Sequence, residues 1–147
     1  MTILAVNGIG RIGKNVLKFL LEANMNVKLI NDSIGNTDIH RHLLEFDSVH
    51  GRWKANFTNN KESISINNKR LTFTNFKKIE DLHLDNIDIV LDCTGAYKSY
   101  KKLEPYFDKG VKKVIVSAPV TDSRIANLVY GINHHIYDKL FHKIVTA

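Results

Sequence analysis

Apolar residues along this chain fall into short runs, separated by stretches whose apolar positions recur at helical spacing. Ile3-Leu4-Ala5-Val6 is the first run and predicts a buried strand over 3–6. From Arg11 to Ala23, the positions Ile12, Val16, Leu17, Phe19, Leu20 and Leu21 predict a helix over 11–23. Val27-Lys28-Leu29-Ile30 predicts a second strand over 27–31, and a second helix follows near 37–45.

The pattern changes between Gly51 and Phe76. Trp53–Phe57, Ser63–Ile66 and Leu71–Thr74 alternate apolar and polar residues, with turns predicted at Asn59-Asn60 and Asn67-Asn68. This predicts an antiparallel meander. Ile87–Leu91 is then near-continuously apolar, as a strand covered on both faces should be. A helix over 98–107, a strand over 114–116, a short strand over 128–131, a helical turn within 135–140 and a last strand over 143–145 complete the prediction. No repeat, low-complexity stretch or linker divides the chain, so residues 1–147 are expected to form one domain. The fold class expected is α/β: a doubly wound, mostly parallel Rossmann sheet with an inserted antiparallel meander.

Candidate chemistry sits at the predicted strand ends. Asn7 is followed by Gly8-Ile9-Gly10-Arg11-Ile12-Gly13, a G-x-G-x-x-G pattern between a strand and a helix. Gly8 suits a tight turn, Gly10 a close backbone approach to a pyrophosphate, and Gly13 close packing of helix on strand. The helix N-terminus offers free N–H groups and the positive end of its dipole to an anion. An ordinary glycine-rich turn is the competing explanation. Asp32 follows the second strand, where an acidic residue accepts from adenosine ribose hydroxyls and repels a 2′-phosphate. It therefore favours NAD over NADP, although an acidic residue there also suits a turn. Thr94-Gly95 and Ser117-Ala118 follow later strands and point to the same crevice.

Composition narrows the alternatives. The net charge of +6 is spread out, and Lys98, Lys101, Lys102, Lys109, Lys112 and Lys113 fit a solvated face. With no aromatic-interleaved basic platform, no dedicated nucleic-acid binding is expected. No apolar run approaches the ~18 residues of a membrane span, and no signal-peptide pattern precedes the first strand, so a cytoplasmic protein is expected. The single cysteine, Cys93, permits no internal disulfide and falls in a buried-strand pattern, where it should pack as a small hydrophobe. His134, His135 and His142 lack the spacing of a metal-binding helix, so no metal site is expected.

Taken together, these stretches resemble the NAD-binding half of glyceraldehyde-3-phosphate dehydrogenase. The resemblance runs through Val6–Gly13, Asn31-Asp32, His42–Arg52, Asp88–Gly95, Gly110–Pro119, Val129–Asn133 and Ile144–Ala147. Leu43–Trp53 and Ile144–Ala147 also look like the variant encoded beside arsenical exporters, in which arsenate would replace phosphate.

The resemblance implies specific roles. Backbone N–H groups of Arg11 and Ile12 would hold the pyrophosphate, and Asp32 the adenosine ribose. Lys77 would touch the adenine through its backbone. Thr94 and Gly95 would border the cofactor, and Ser117 and Ala118 the nicotinamide ribose. His50 would be structural, near a subunit contact. Phe76, Lys78 and Ile79 depart from the family pattern around the adenine. The family's Ser-Cys-Thr-Thr-Asn nucleophile motif is expected beyond Ala147, so the catalytic domain would lie outside this chain, which would be inactive alone. The full enzyme would oxidise a phosphorylated aldehyde through a cysteine thioester, pass hydride to NAD, and assemble as a homotetramer. Competing readings are a sister dehydrogenase acting on erythrose-4-phosphate and a non-catalytic stand-alone nucleotide-binding module.

Overall fold

A computed structural model describes residues Met1–Ala147. Its chain order opens with β1 (Ile3–Asn7), α1 (Arg11–Glu22), β2 (Asn26–Asn31) and α2 (Thr37–Glu45). A small hairpin, β3 (Phe46–Asp47) with β4 (Gly51–Arg52), precedes β5 (Phe57–Asn60), β6 (Ser63–Ile66) and β7 (Lys69–Thr74). Then come β8 (Ile89–Asp92), α3 (Tyr100–Leu103), α4 (Pro105–Asp108), β9 (Lys113–Val116), β10 (Ala126–Asn127) and β11 (Ile144–Thr146).

Nine strands form one sheet in the order β10-β11-β9-β8-β1-β2-β7-β6-β5. Every pairing from β10 to β7 is parallel. Within this sheet only the β5–β6 and β6–β7 pairings are antiparallel. The expected architecture is therefore present, with one refinement: the last arm of the meander, β7, joins β2 in parallel and extends the main sheet. Two apolar clusters cover the two faces. Ala5, Val90, Val114, Leu103 and Tyr106 belong to one, and Leu4, Val6, Leu17, Ile30 and Ile64 to the other. The alternation of Leu4, Ala5 and Val6 between clusters is what a two-sided buried strand requires.

Some predicted elements shift, for local reasons. Of the alternating stretch Trp53–Phe57, only Phe57 enters a strand, as the first residue of β5. The Trp53 N–H donates to the Glu45 carbonyl at 2.8 Å, and the indole is buried in the core. Asn59 and Asn60 end β5 instead of forming the turn, but the Asn60 side chain still drives it, accepting from Glu62 N–H at 2.9 Å. The helix expected over 98–107 divides into α3 and α4 at Pro105, which lacks an N–H. The strand expected over 128–131 is a turn, because the Asn133 side chain captures the Val129 N–H at 2.6 Å and Gly131 takes a positive φ of 86°. The helical turn expected within 135–140 is a single 3-10 turn over His134–Ile136. In α1, Gly13, Leu17 and Leu21 face the core, whereas Ile12 and Phe19 lie on the exposed side. No helix is long and apolar enough to cross a membrane.

Ion pairs secure the periphery. Lys14 on α1 pairs with Asp47, whose carboxylate also accepts from the N–H groups of Val49 and His50. The Lys14 ammonium, then these amides, hold the Asp47 carboxyl below its ordinary 3.8. Arg124 does the same to Asp122. A carboxylate with a depressed folded pKa contributes stability above its unfolded value and loses it as the pH falls below. Thermal melts should therefore be nearly flat from neutral pH to about 5 and drop steadily below about 4. Asp47→Asn should lower the neutral melting temperature and reduce the acid decline; an unchanged acid profile would contradict this account.

Candidate functional site

The strand order doubles back at β1. After β1 the chain builds outward through β2, and later returns with β8 on the other side. At such a switch point two loops leave in opposite directions, which opens a crevice beyond the carboxyl ends of the strands. An open cleft of about 260 Å³ lies there, lined by Asn7, Gly8, Gly10, Asp32, Lys77 and Thr94 among others.

The glycine loop is shaped by three different constraints. Gly8 has φ +85°, and a Cβ there would come 2.8 Å from the Cys93 carbonyl carbon and the Thr94 nitrogen. A Cβ on Gly13 would sit 1.8 Å from the Gly8 carbonyl oxygen, so only glycine lets α1 start this close to β1. Gly10 is different. It faces the cleft, its φ is an ordinary −72°, and a Cβ there would meet nothing within 4 Å. No protein neighbour requires glycine at that position; a ligand approaching the backbone would.

Gly10 is also the N-cap of α1 and offers no side-chain cap. The amide hydrogens of Gly10, Arg11 and Ile12 make no hydrogen bond within the chain. Ile9 is tied down, donating its N–H to Asp32 Oδ2 at 3.0 Å. Asp32 Oδ1 accepts the Ile34 N–H, also at 3.0 Å. One carboxylate thus joins the glycine loop to the loop after β2, and each oxygen keeps acceptor capacity toward the cleft.

Buried asparagines and an aspartate underlie the cleft. Asn31 donates to Asn7 Oδ1 at 2.8 Å and accepts from Thr74 Oγ1 and the Phe76 N–H. Asp92 accepts from the Thr94 N–H at 3.1 Å and from Thr94 Oγ1 at 2.7 Å. Burial raises the Asp92 carboxyl, and hydrogen bonds from Tyr106 and Thr94 oppose the rise. Burial likewise raises the Cys93 thiol; the Ser117 hydrogen bond opposes that rise, and the Asp92 charge adds to it. A thiol in this setting is a poor nucleophile.

Of the residues singled out in the sequence, Asn7, Gly8, Gly10, Asp32, Lys77 and Thr94 meet in the cleft wall. Arg11, Ile12 and Gly13 open α1 at its rim. Gly95 follows Thr94 with φ +69°. Ser117 and Ala118 follow β9, next in the sheet to β8, outside the cleft lining. Sequence patterning did not single out the contributions of Ser33, Ile34, Ala96 and Tyr97. Tyr97 Oη donates to the Lys77 carbonyl at 3.1 Å, bridging the β7 and β8 loops. His40 on α2 was also missed. Its Nε2 lies 2.7 Å from the Ile34 carbonyl, which fixes the Nε2–H tautomer, while the ring packs on Phe73 and the buried Nδ1 has no partner. No group of His, Cys, Asp and Glu side chains is arranged to hold a metal.

A family model described as "Glyceraldehyde 3-phosphate dehydrogenase, NAD binding domain" matches residues 2–100. A protein of a Nostoc species named glyceraldehyde-3-phosphate dehydrogenase 3 is 35% identical over 147 residues, covering 98% of this chain and 43% of the relative. Glyceraldehyde-3-phosphate dehydrogenase of Cereibacter sphaeroides is 38% identical over 138 residues, covering 91% and 41%. That of Pseudomonas aeruginosa is 37% identical over 153 residues, covering 99% and 45%. The chain thus spans less than half the length of the curated relatives it matches.

Proposed function

The chain belongs to the glyceraldehyde-3-phosphate dehydrogenase family, through its NAD-binding domain, and from that premise we propose that the cleft at the ends of β1, β2 and β8 is the NAD site. The observation that carries this assignment is Gly10. It faces the cleft, offers backbone without a side chain, and no protein atom accounts for its being glycine. The unpaired N–H groups of Arg11 and Ile12 suit the pyrophosphate. Asp32 suits the ribose hydroxyls, and its negative charge disfavours a 2′-phosphate. Lys77 lies on the adenosine side, Thr94 and Gly95 border the cofactor, and Ser117 and Ala118 extend the site toward the nicotinamide ribose.

NAD, when bound, supplies the hydride acceptor; the chain's residues bind and orient it. We assign residues 1–147 to one NAD-binding domain. In the whole enzyme, a cysteine thiolate would add to a phosphorylated aldehyde to give a thiohemiacetal, which would lose a hydride to NAD to become an acyl thioester; phosphate would then take the acyl group and release the thiolate. Cys93 does not fit that role, because burial and the Asp92 charge both disfavour its thiolate. A homotetrameric, cytoplasmic enzyme is the accompanying proposal. Val129, Tyr130 and Ile132 after β10, and Leu140 and Phe141 before β11, are exposed apolar side chains that suit cover by further polypeptide of the whole enzyme.

The 147-residue chain should therefore bind NAD without oxidising aldehyde. Mixed with glyceraldehyde-3-phosphate, phosphate and NAD, it should give no absorbance from reduced nicotinamide above a protein-free control. Steady formation of reduced cofactor, lost on Cys93→Ser, would contradict the assignment of Cys93 as a packing residue.

A further inference from the structure

At the switch point Asn7 of β1 lies opposite Asp92 of β8. Between their side chains stands Tyr106, fully buried, from α4, 99 positions from Asn7 and 14 from Asp92. Its Oη accepts from Asn7 Nδ2 at 2.6 Å and donates to Asp92 Oδ2 at 2.6 Å. Each of these partners leads onward. Asn7 continues through Asn31 to the Phe76 backbone, on the side of the cleft that includes Lys77. Asp92 continues through Thr94 to the Ala96 N–H, on the opposite wall. One oxygen atom thus joins two halves of a hydrogen-bonded rail beneath the cleft.

The ends of β1 and β8 are already joined by the Cys93 N–H, which donates to the Asn7 carbonyl. Resting on the reading of this cleft as the NAD site, we propose that Tyr106 is a positioning residue for NAD: its hydroxyl fixes the Asn7 and Asp92 side chains beside that bond, so that the Thr94 loop is held across from the glycine loop. Tyr106 does not line the cleft and acts only through Asn7 and Asp92. Its hydroxyl is needed at both ends. Asp92 is buried with no cation within ion-pair distance, so donors alone stabilise its charge. Without the hydroxyl, Asp92 loses a donor and Asn7 Nδ2 loses its acceptor, both where water does not reach them.

A proton on Asp92 Oδ2 would act similarly, because the oxygen that accepts the Tyr106 hydroxyl would become a donor. The titratable groups facing Asp92 are Tyr106 from α4 and Cys93 and Tyr97 after β8; none is cationic. Because the Tyr106 hydrogen bond opposes the upward push of burial on the Asp92 carboxyl, removing it moves that titration to higher pH.

The test is calorimetric titration of NAD and of adenosine monophosphate into the unmutated chain and into Tyr106→Phe, across pH. At neutral pH the substitution should weaken NAD about tenfold, corresponding to about one charge-assisted hydrogen bond, the one to Asp92. Adenosine monophosphate, held on the Asp32 side, should change less than about threefold. The acidic fall in NAD affinity should also begin at higher pH in the variant. Equal weakening of both ligands, or unchanged NAD affinity, overturns the role of Tyr106 while leaving the NAD site standing. No NAD binding to the unmutated chain overturns the site itself. If circular dichroism shows Tyr106→Phe unfolded, nuclear magnetic resonance of the unmutated chain decides: the Tyr106 ring and Asn7 side-chain amide signals should move with NAD and not with adenosine monophosphate, and signals that stay still overturn the role.

Discussion

Gly13→Ala should cost the chain both stability and its cofactor. The added methyl would fall 1.8 Å from the Gly8 carbonyl oxygen and 3.2 Å from the Cys93 Cβ. The first neighbour is backbone, held in place because the Gly8 N–H donates to the Asn31 carbonyl at 2.8 Å. No rotamer change relieves the contact, so α1 must move away from β1. Overpacking of this kind costs about 3 kcal/mol, the upper part of its usual range. For a chain of this size that lowers the melting temperature by roughly 10 °C. The unpaired N–H groups of Arg11 and Ile12 move with α1, so NAD affinity should fall by more than about tenfold. A variant that melts like the unmutated chain and keeps its NAD affinity would show that helix and strand are not packed this closely.

Asp32→Ala should reverse the preference between the two nicotinamide dinucleotides, or come close to it. In the unmutated chain the carboxylate places a negative charge beside the expected ribose and accepts from the N–H groups of Ile9 and Ile34. Removing it withdraws acceptors from the ribose hydroxyls and the repulsion of a 2′-phosphate together. Hydrogen bonds to a charged group contribute about 1.5–3 kcal/mol each, so NAD should weaken by about tenfold or more. NADP loses the same loop anchoring but gains relief from charge repulsion, so its affinity should change less. The ratio of the two dissociation constants is therefore the informative quantity, because disordering of the loop alone weakens both ligands alike. Tighter binding of NADP than NAD by the unmutated chain would contradict the role given to Asp32.

Much of the parallel sheet was legible because its strands are short apolar runs bounded by glycine or polar residues. Ile3–Val6 and Val27–Ile30 show this pattern, as does the helix beginning at Arg11. Elements were misplaced where a single side chain outweighs periodicity. Asn133 folds the apolar stretch after Leu128 into a turn, and Asn60 directs a turn from the end of its own strand. Burial of Trp53 against the core likewise removes an alternating segment from the sheet.

For the candidate site, the glycines, Asp32 and Thr94 were visible because loop and strand-end chemistry is local in sequence. The supporting layer was not. Leu103 and Tyr106 are three residues apart and both fully buried, so the spacing marks a core face. Nothing in it announces a hydroxyl whose partner Asn7 lies 99 positions earlier. His40 is similar: a histidine on an amphipathic helix says little until its ring is found beneath the Ile34 carbonyl.

The central claim is that the glycine loop leaves space for a cofactor rather than merely turning the chain. Titration of NAD into Gly10→Ala beside the unmutated chain tests it most directly. Since a Cβ on Gly10 meets no protein atom within 4 Å, the variant should melt within about 2 °C of the unmutated chain. Its methyl would occupy the space through which the pyrophosphate approaches the backbone, so NAD affinity should fall by more than about tenfold. Equal NAD affinity in two equally stable proteins would contradict the claim.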